Sequence, residues 1–145
     1  MKIIVQRVTE ASVYIKNTKI SKINKGLALL VGFTQNDTES DIDYLIKKVI
    51  NLRIFDDENN IMNKSVLDIK GEILSVSQFT LYADTKKGNR PSYNKSLPFK
   101  EAEKLYNIFN SKLSTHINVK TGIFGEEMVY NIKNDGPVTI ILESR

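Results

Sequence analysis

Leu27-Ala28-Leu29-Leu30-Val31-Gly32-Phe33 is apolar at consecutive positions, which suits a strand buried on both faces rather than one with a wet side. Upstream, Ile3, Val5 and Val8, then Val13 and Ile15, then Ile20 and Ile23 form short β-branched groups, with Asn17-Thr18 as a tight turn. Three short strands are therefore expected to lead into the central one. Downstream, Asp37 or Thr38 can cap a helix with Glu39 and Asp41 in its first turn. Ile42, Leu45, Ile46, Val49 and Ile50 recur there at helical spacing, opposite Lys47 and Lys48.

Arg53-Ile54-Phe55 reads as a further short strand, ended by the acidic turn Asp56-Asp57-Glu58-Asn59-Asn60. A calcium loop beginning at Asp56 would need glycine and glutamate where Ile61 and Leu67 stand, so no metal is expected there. A strand from Glu72 to Thr80 follows. Pro98, with Glu101 and Glu103 after it, opens a second helix whose apolar face is Ala102, Leu105, Tyr106, Phe109 and Leu113. The last third predicts strands over Val119 to Phe124, Met128 to Ile132 and Val138 to Leu142. The turn-type sequence Asn134-Asp135-Gly136-Pro137 separates the last two. This order predicts an antiparallel or mixed sheet system with helices on one side, an α/β (α+β-like) chain and not a doubly wound parallel sheet.

With 145 residues, 41% hydrophobic and 26% charged, the chain has the size and composition of one ordinary globular domain, 1–145. It contains no cysteine, which excludes disulfides, thiolate chemistry and cysteine-ligated zinc. Met1-Lys2 leads straight into a strand pattern, and no run approaches the roughly 18 apolar residues of a membrane span, so the cytoplasm is the expected compartment. There is no Gly-rich phosphate fingerprint, and no cofactor is expected.

The chemistry-bearing residues gather where the predicted strand ends, at Ser77-Gln78-Phe79-Thr80. Beyond them the segment Asp84 to Lys100 carries Lys86, Lys87, Arg90, Lys95 and Lys100 against Asp84. It holds five of the 21 basic residues and one of the 17 acidic ones, so the rest of the chain balances at 16 against 16. A confined cationic patch attracts phosphates, which makes Lys86, Lys87 and Arg90 candidate nucleic-acid contacts; a solvated lysine loop is the plainer reading. His116, the single histidine, follows a helix, where an imidazole commonly meets the dipole, and a Ser-His-Asp arrangement is poorly supported. Asp135 reads as a turn former. Thr80 has no neighbouring base in sequence, so an enzyme made from these parts would rely on preorganised donors and on a group supplied by its substrate.

Several stretches resemble the bacterial-type D-aminoacyl-tRNA deacylases, in order and over the whole chain. They are Val5-Gln6-Arg7-Val8 with Ala11-Ser12-Val13, Arg53-Ile54-Phe55, Met62-Asn63, and Ser77-Gln78-Phe79-Thr80-Leu81 with Ala83-Asp84. Gly88 with Arg90-Pro91-Ser92, and Asn134-Asp135-Gly136-Pro137-Val138-Thr139, complete the set. The resemblance implies a three-layer β/β/α sandwich with two main helices on one side. It implies a homodimer with active sites at the subunit interface, hydrolysing the ester that joins a D-amino acid, or mischarged glycine, to the terminal adenosine of tRNA. In such proteins the segment matching Ser77, Gln78, Phe79 and Thr80 lines the pocket, and its threonine has been cast as the nucleophile. Another view gives the chemistry to backbone groups and the ribose 2′-hydroxyl. The pair matching Gly136-Pro137 has a cis peptide and enters the partner's pocket to exclude L-amino acids, and Arg7 helps hold it. Met128 falls at the Phe-x-x-x-Met spacing from Phe124, with Gly125-Glu126-Glu127 where small residues are usual. The competing classes are a non-catalytic RNA-binding module, for which the loop offers Tyr82 and Tyr93 as aromatics, and an ordinary esterase, for which a Gly-x-Ser-x-Gly elbow is missing.

Overall fold

A computed structural model describes residues 1–145. The central strand β3 (Gly26–Gly32) is buried on both faces as its composition requires: Leu27, Leu29 and Val31 join one core and Ala28 the other. It pairs antiparallel with β1 (Lys2–Ile15) and parallel with β6 (Glu72–Ser77), which pairs parallel with β7 (Val119–Thr121). The sheet is thus mixed. The connections β3 to β6 and β6 to β7 carry the helices α1 (Glu39–Asn51) and α2 (Phe99–Ser114). Ile42, Leu45 and Val49 of α1 and Phe109 and Leu113 of α2 pack with Ile3, Val5, Leu29 and Ile73 in one core. Fully burying a side chain of this size is worth about 1.5–3 kcal/mol. Thr38 starts α1: its N–H and its hydroxyl both donate to the Asp41 carboxylate, at 2.8 and 2.9 Å. No helix is long and apolar enough to cross a membrane.

The chain start is not three short strands. β1 runs unbroken for 14 residues and turns through Lys16 and Asn17, both at positive φ (46° and 65°), into β2 (Thr18–Ile23). That is the two-residue loop a twisted hairpin favours. Likewise the two expected C-terminal strands are one, β8 (Val129–Glu143), antiparallel to nearly all of β1. Asn134-Asp135-Gly136-Pro137 is a bulge within β8 and not a turn between strands. Gln6 pairs Thr139 and Val8 pairs Asn134, so Arg7 alone opposes four residues of β8.

The bulge is also where the two long strands change cores. Ile3, Val5, Val138, Ile140 and Leu142 face the helices; Val8, Ala11, Val13, Tyr130 and Ile132 face a second core with Ile23, Ala28, Leu74 and Val76. The far halves of β1 and β8, with β2, therefore fold over the central strands. Ser21 Oγ donates to Thr121 O (2.5 Å) and Lys120 Nζ to Lys22 O (2.8 Å) across the closure. Helices, central strands and folded-over strands make the three β/β/α layers.

Three further boundaries move. The strand expected over Glu72 to Thr80 stops at Ser77, and the one expected to reach Phe124 stops at Thr121. The expected Arg53–Phe55 strand is a short β4 (Phe55–Asp56), paired with an unforeseen β5 (Met62–Lys64). Between these two, the Asp57 carboxylate accepts the amides of Ile61 and Asn59, bonds that hold it below the usual carboxylate range, the Ile61 amide first.

Candidate active site

The central pairing ends where the site begins. Val31 O accepts the Gln78 amide at 2.8 Å, after which the chain leaves the strand and tightens into a single 3₁₀ turn, Phe79–Tyr82. The first two amides of that turn, on Phe79 and Thr80, have no acceptor in the chain. Beside it opens a cavity of about 830 Å³ whose walls include Leu30, Val76, Phe99, Phe124 and Tyr130. Ser77, Gln78 and Ser96 supply its polar wall, and Glu126 and Glu127 are its only charged residues. Of the expected site residues, Ser77, Gln78, Phe79 and Met128 meet here. Gly122 makes room for Met128, since a Cβ on it would stand 2.6 Å from the Met128 sulfur.

Thr80 lies next to the cavity without lining it. Its hydroxyl accepts from Gln78 Nε2 at 2.5 Å, and no imidazole, amine or carboxylate hydrogen-bonds to it. His116 sits elsewhere, in a groove between the helices with Asp43, Lys47 and Lys112. As arranged, the Thr80 side chain has no group to take its proton.

Arg7, Gly136 and Pro137 form a second group, apart from their own chain's cavity. Arg7 is 8% exposed; its Nη1 donates to Ile54 O at 2.7 Å and its Nε to Asp135 O at 3.2 Å, with the Asp135 carboxylate 3.3 Å away. Asn134 braces the other side, accepting from the Val138 amide at 3.2 Å and donating to Thr139 Oγ1 at 3.0 Å. Gly136, at φ 119°, is joined to Pro137 by a cis peptide, and both are exposed. A charged side chain is thus buried to fix an outward-pointing bulge.

The basic loop is shaped from within. Asp84 and Ser92 exchange backbone hydrogen bonds of 2.9 and 2.7 Å, and the Asp84 carboxylate accepts the Lys86 amide and pairs with Lys95. Those contacts, the amide first, lower the Asp84 pKa. Lys86, Lys87 and Arg90 remain exposed with no carboxylate within pairing distance, so the patch is real but one lysine smaller than its sequence count. The loop is tied to the site: Ser96 Oγ donates to Phe79 O (2.9 Å), and Tyr93 meets the Phe79 ring edge-on at 5.0 Å. Sequence reasoning missed Leu30, Phe99 and Tyr130 as wall residues. Only Phe99, an apolar residue directly after the helix-opening Pro98, gave a visible signal.

Fold and cavity define the class: a three-layer β/β/α protein with an apolar cavity at a strand end, whose polar wall is amide, hydroxyl and backbone. The chain belongs to the D-Tyr-tRNA(Tyr) deacylase family, whose model matches residues 4–143. It is 52% identical over 147 residues to a D-aminoacyl-tRNA deacylase of Thermosipho melanesiensis (strain DSM 12029 / CIP 104789 / BI429), covering 100% of this chain and 98% of that protein. Among solved structures, the c-Myc DNA Unwinding Element Binding Protein superposes with a TM-score of 0.96 at 44% identity, over 100% of this chain and 99% of the other. A probable eukaryotic D-amino acid tRNA deacylase superposes at 0.84 with 15% identity over 98% of each chain, a likeness of fold.

Proposed function

We propose that this chain hydrolyses the ester linking a D-amino acid to the 3′-terminal adenosine of tRNA, and the corresponding ester of mischarged glycine. The observation that carries the reading is the Ser77-Gln78-Phe79 segment at the wall of an apolar cavity, in a chain that matches deacylases along its whole length. The unengaged amide of Phe79, a residue of the cavity wall, is a donor suited to an oxyanion, with the free amide of Thr80 next to it in the same turn. The ribose 2′-hydroxyl beside the ester supplies the proton transfer that no side chain here is placed to perform. Two copies pair so that each Gly136–Pro137 bulge enters the other's cavity. Its carbonyls accept from the substrate α-amino group, and its backbone occupies the space an L side chain would need. The test is deacylation of matched D-, L- and glycyl-tRNA. Hydrolysis of the D and glycyl esters with the L ester spared is expected, whereas tRNA binding with no turnover of any ester would leave a non-catalytic RNA-binding module.

The bulge makes a sharp expectation. A Cβ on Gly136 would stand 2.9 Å from Val138 Cγ2 and 3.0 Å from Arg7 Nη2, at a φ that L residues rarely adopt. Strain of this kind costs on the order of 1–3 kcal/mol. Gly136→Ala should therefore displace the bulge and reduce the D-over-L ratio of kcat/KM by about tenfold or more, 1.4 kcal/mol being one decade. An unchanged ratio would remove Gly136–Pro137 from discrimination.

The basic loop makes another. Replacing Lys86, Lys87 and Arg90 together by Ala should weaken tRNA binding and flatten its log–log salt dependence by about 2 to 3, near 0.7–0.9 per lost phosphate contact. An unaltered slope would mark the patch as a solvated loop.

A further inference from the structure

We infer that Phe99 stacks on an unpaired nucleobase at the acceptor end of the RNA, an inference that rests on the substrate class proposed above. Phe99 is the first residue of α2, lines the cavity and is 59% exposed. It does not act as a lid on the core: it meets Phe124 edge-on, centroids 5.0 Å apart at 71°, and leaves much of the ring to solvent. Gly125 lets it lie there. A Cβ on Gly125 would come within 2.6 Å of Phe99 Cζ and 2.7 Å of Cε2. Phe79 repeats the arrangement on the same cavity, 55% exposed and held edge-on by Tyr93.

The occupant follows from what surrounds the ring. A planar apolar face held by a second aromatic suits a flat uncharged partner rather than a phosphate, since Glu126 and Glu127 are the only charged residues of the cavity; the phosphates would follow the cations of the loop outside it. Between Arg90 and Lys100 the chain interleaves Arg90 and Lys100 with Tyr93 and Phe99, a mix of basic and aromatic groups of the kind that binds single-stranded nucleic acid, while Lys95 is held by Asp84. Every base has a π-face, so such a contact tolerates sequence while fixing the strand's path. Its contribution is independent of salt, unlike that of Lys86, Lys87 and Arg90.

The experiment compares Phe99→Leu, Phe99→Ala and Phe99→Trp in two assays. Binding of an uncharged RNA hairpin with an unpaired 3′ end, read by fluorescence anisotropy, needs no catalysis. Leu and Ala should weaken it about 5- to 100-fold, with the salt slope unchanged and Trp restoring it. With D-aminoacyl-tRNA the same variants should raise KM at nearly constant kcat. Hairpins abasic at the terminal or the next nucleotide locate the contact: at the stacked position the abasic loss and the Phe99→Leu loss should not add. Equal hairpin affinity of Phe99→Leu and the native protein, full additivity at both positions, or a change of oligomeric mass in the Leu variant would each overturn the inference. Absence of D-ester hydrolysis by the native protein, with the hairpin result intact, would instead strike the proposed reaction.

Discussion

D-aminoacyl-tRNA ending in 2′-deoxyadenosine should be hydrolysed at least about 100-fold more slowly than the ribose form, while Thr80→Ala stays within a few-fold of the native rate. Positioned general acid–base assistance is worth roughly 10²–10⁴-fold, and the question is which group provides it. Thr80 is a poor candidate: its hydroxyl already accepts from Gln78 Nε2 and has no partner to receive its proton. Glu126 and Glu127 are the only carboxylates of the cavity; both are exposed, and neither bonds to Gln78 or Thr80. The vicinal ribose hydroxyl is present in every substrate molecule and adjacent to the reacting carbonyl by its own covalent geometry. Its removal should therefore act on kcat, since one hydroxyl adds little to the binding of a whole tRNA. Glu126→Gln and Glu127→Gln are the controls, each expected to keep turnover within a few-fold. Complete loss in a correctly folded Thr80→Ala, together with normal turnover of the deoxy substrate, would sink the substrate-assisted reading.

The helices and the central strand were legible from sequence because their burial is locally periodic. Leu27 to Phe33 is apolar throughout, and both helices carry one apolar stripe. The long strands were not, because β1 and β8 change cores partway. Ile3 and Val5 turn into one core and Val8 and Val13 into the other, and with Thr9 and Glu10 interrupting the apolar positions after Val8 a single strand reads as two. The same event hid the bulge. Asn134-Asp135-Gly136-Pro137 has every residue a turn uses, and only the pairing of Val8 with Asn134 and Gln6 with Thr139 shows that the chain continues straight on. The Ser77 to Thr80 site was legible as a strand end with hydroxyls and an amide. That Thr80 does not line the cavity depends on the tight turn after Gln78, which the Val31 contact and the close approach of Gly32 to Leu81 impose from outside the motif.

The largest effect on stability is expected from Gly26→Ala, at a residue whose sequence context, after Asn24-Lys25, reads as an ordinary turn glycine. Its role is close approach. Gly26 opens β3 and is flanked on both sides, by Val8 of β1 and Glu72 of β6. A Cβ there would stand 1.9 Å from Glu72 O and 2.8 Å from Glu72 C. These are main-chain atoms and cannot swing aside. Nor can Glu72 retreat: its amide donates to Lys25 O at 3.2 Å, and its carboxylate accepts the Asn24 amide at 2.9 Å and Asn118 Nδ2 at 2.7 Å. The added methyl must therefore part β3 from β6 where their parallel pairing begins, and that pairing runs on to Val31 and Ser77 and sets the cavity wall. Losses above about 4 kcal/mol are exceptional for one substitution, and this clash belongs with them. Against a total stability of roughly 5–15 kcal/mol, it should lower Tm by about 10 °C or more and populate unfolded chain at moderate temperature. Gly88→Ala is the counterpart: Gly88 has φ 71° but nothing within 4 Å of its Cβ position, so only the left-handed backbone cost of about 1–2 kcal/mol applies. Thermal denaturation of the two variants separates close approach from backbone freedom, and a Gly26→Ala protein melting no lower than Gly88→Ala would refute the β3–β6 contact as drawn.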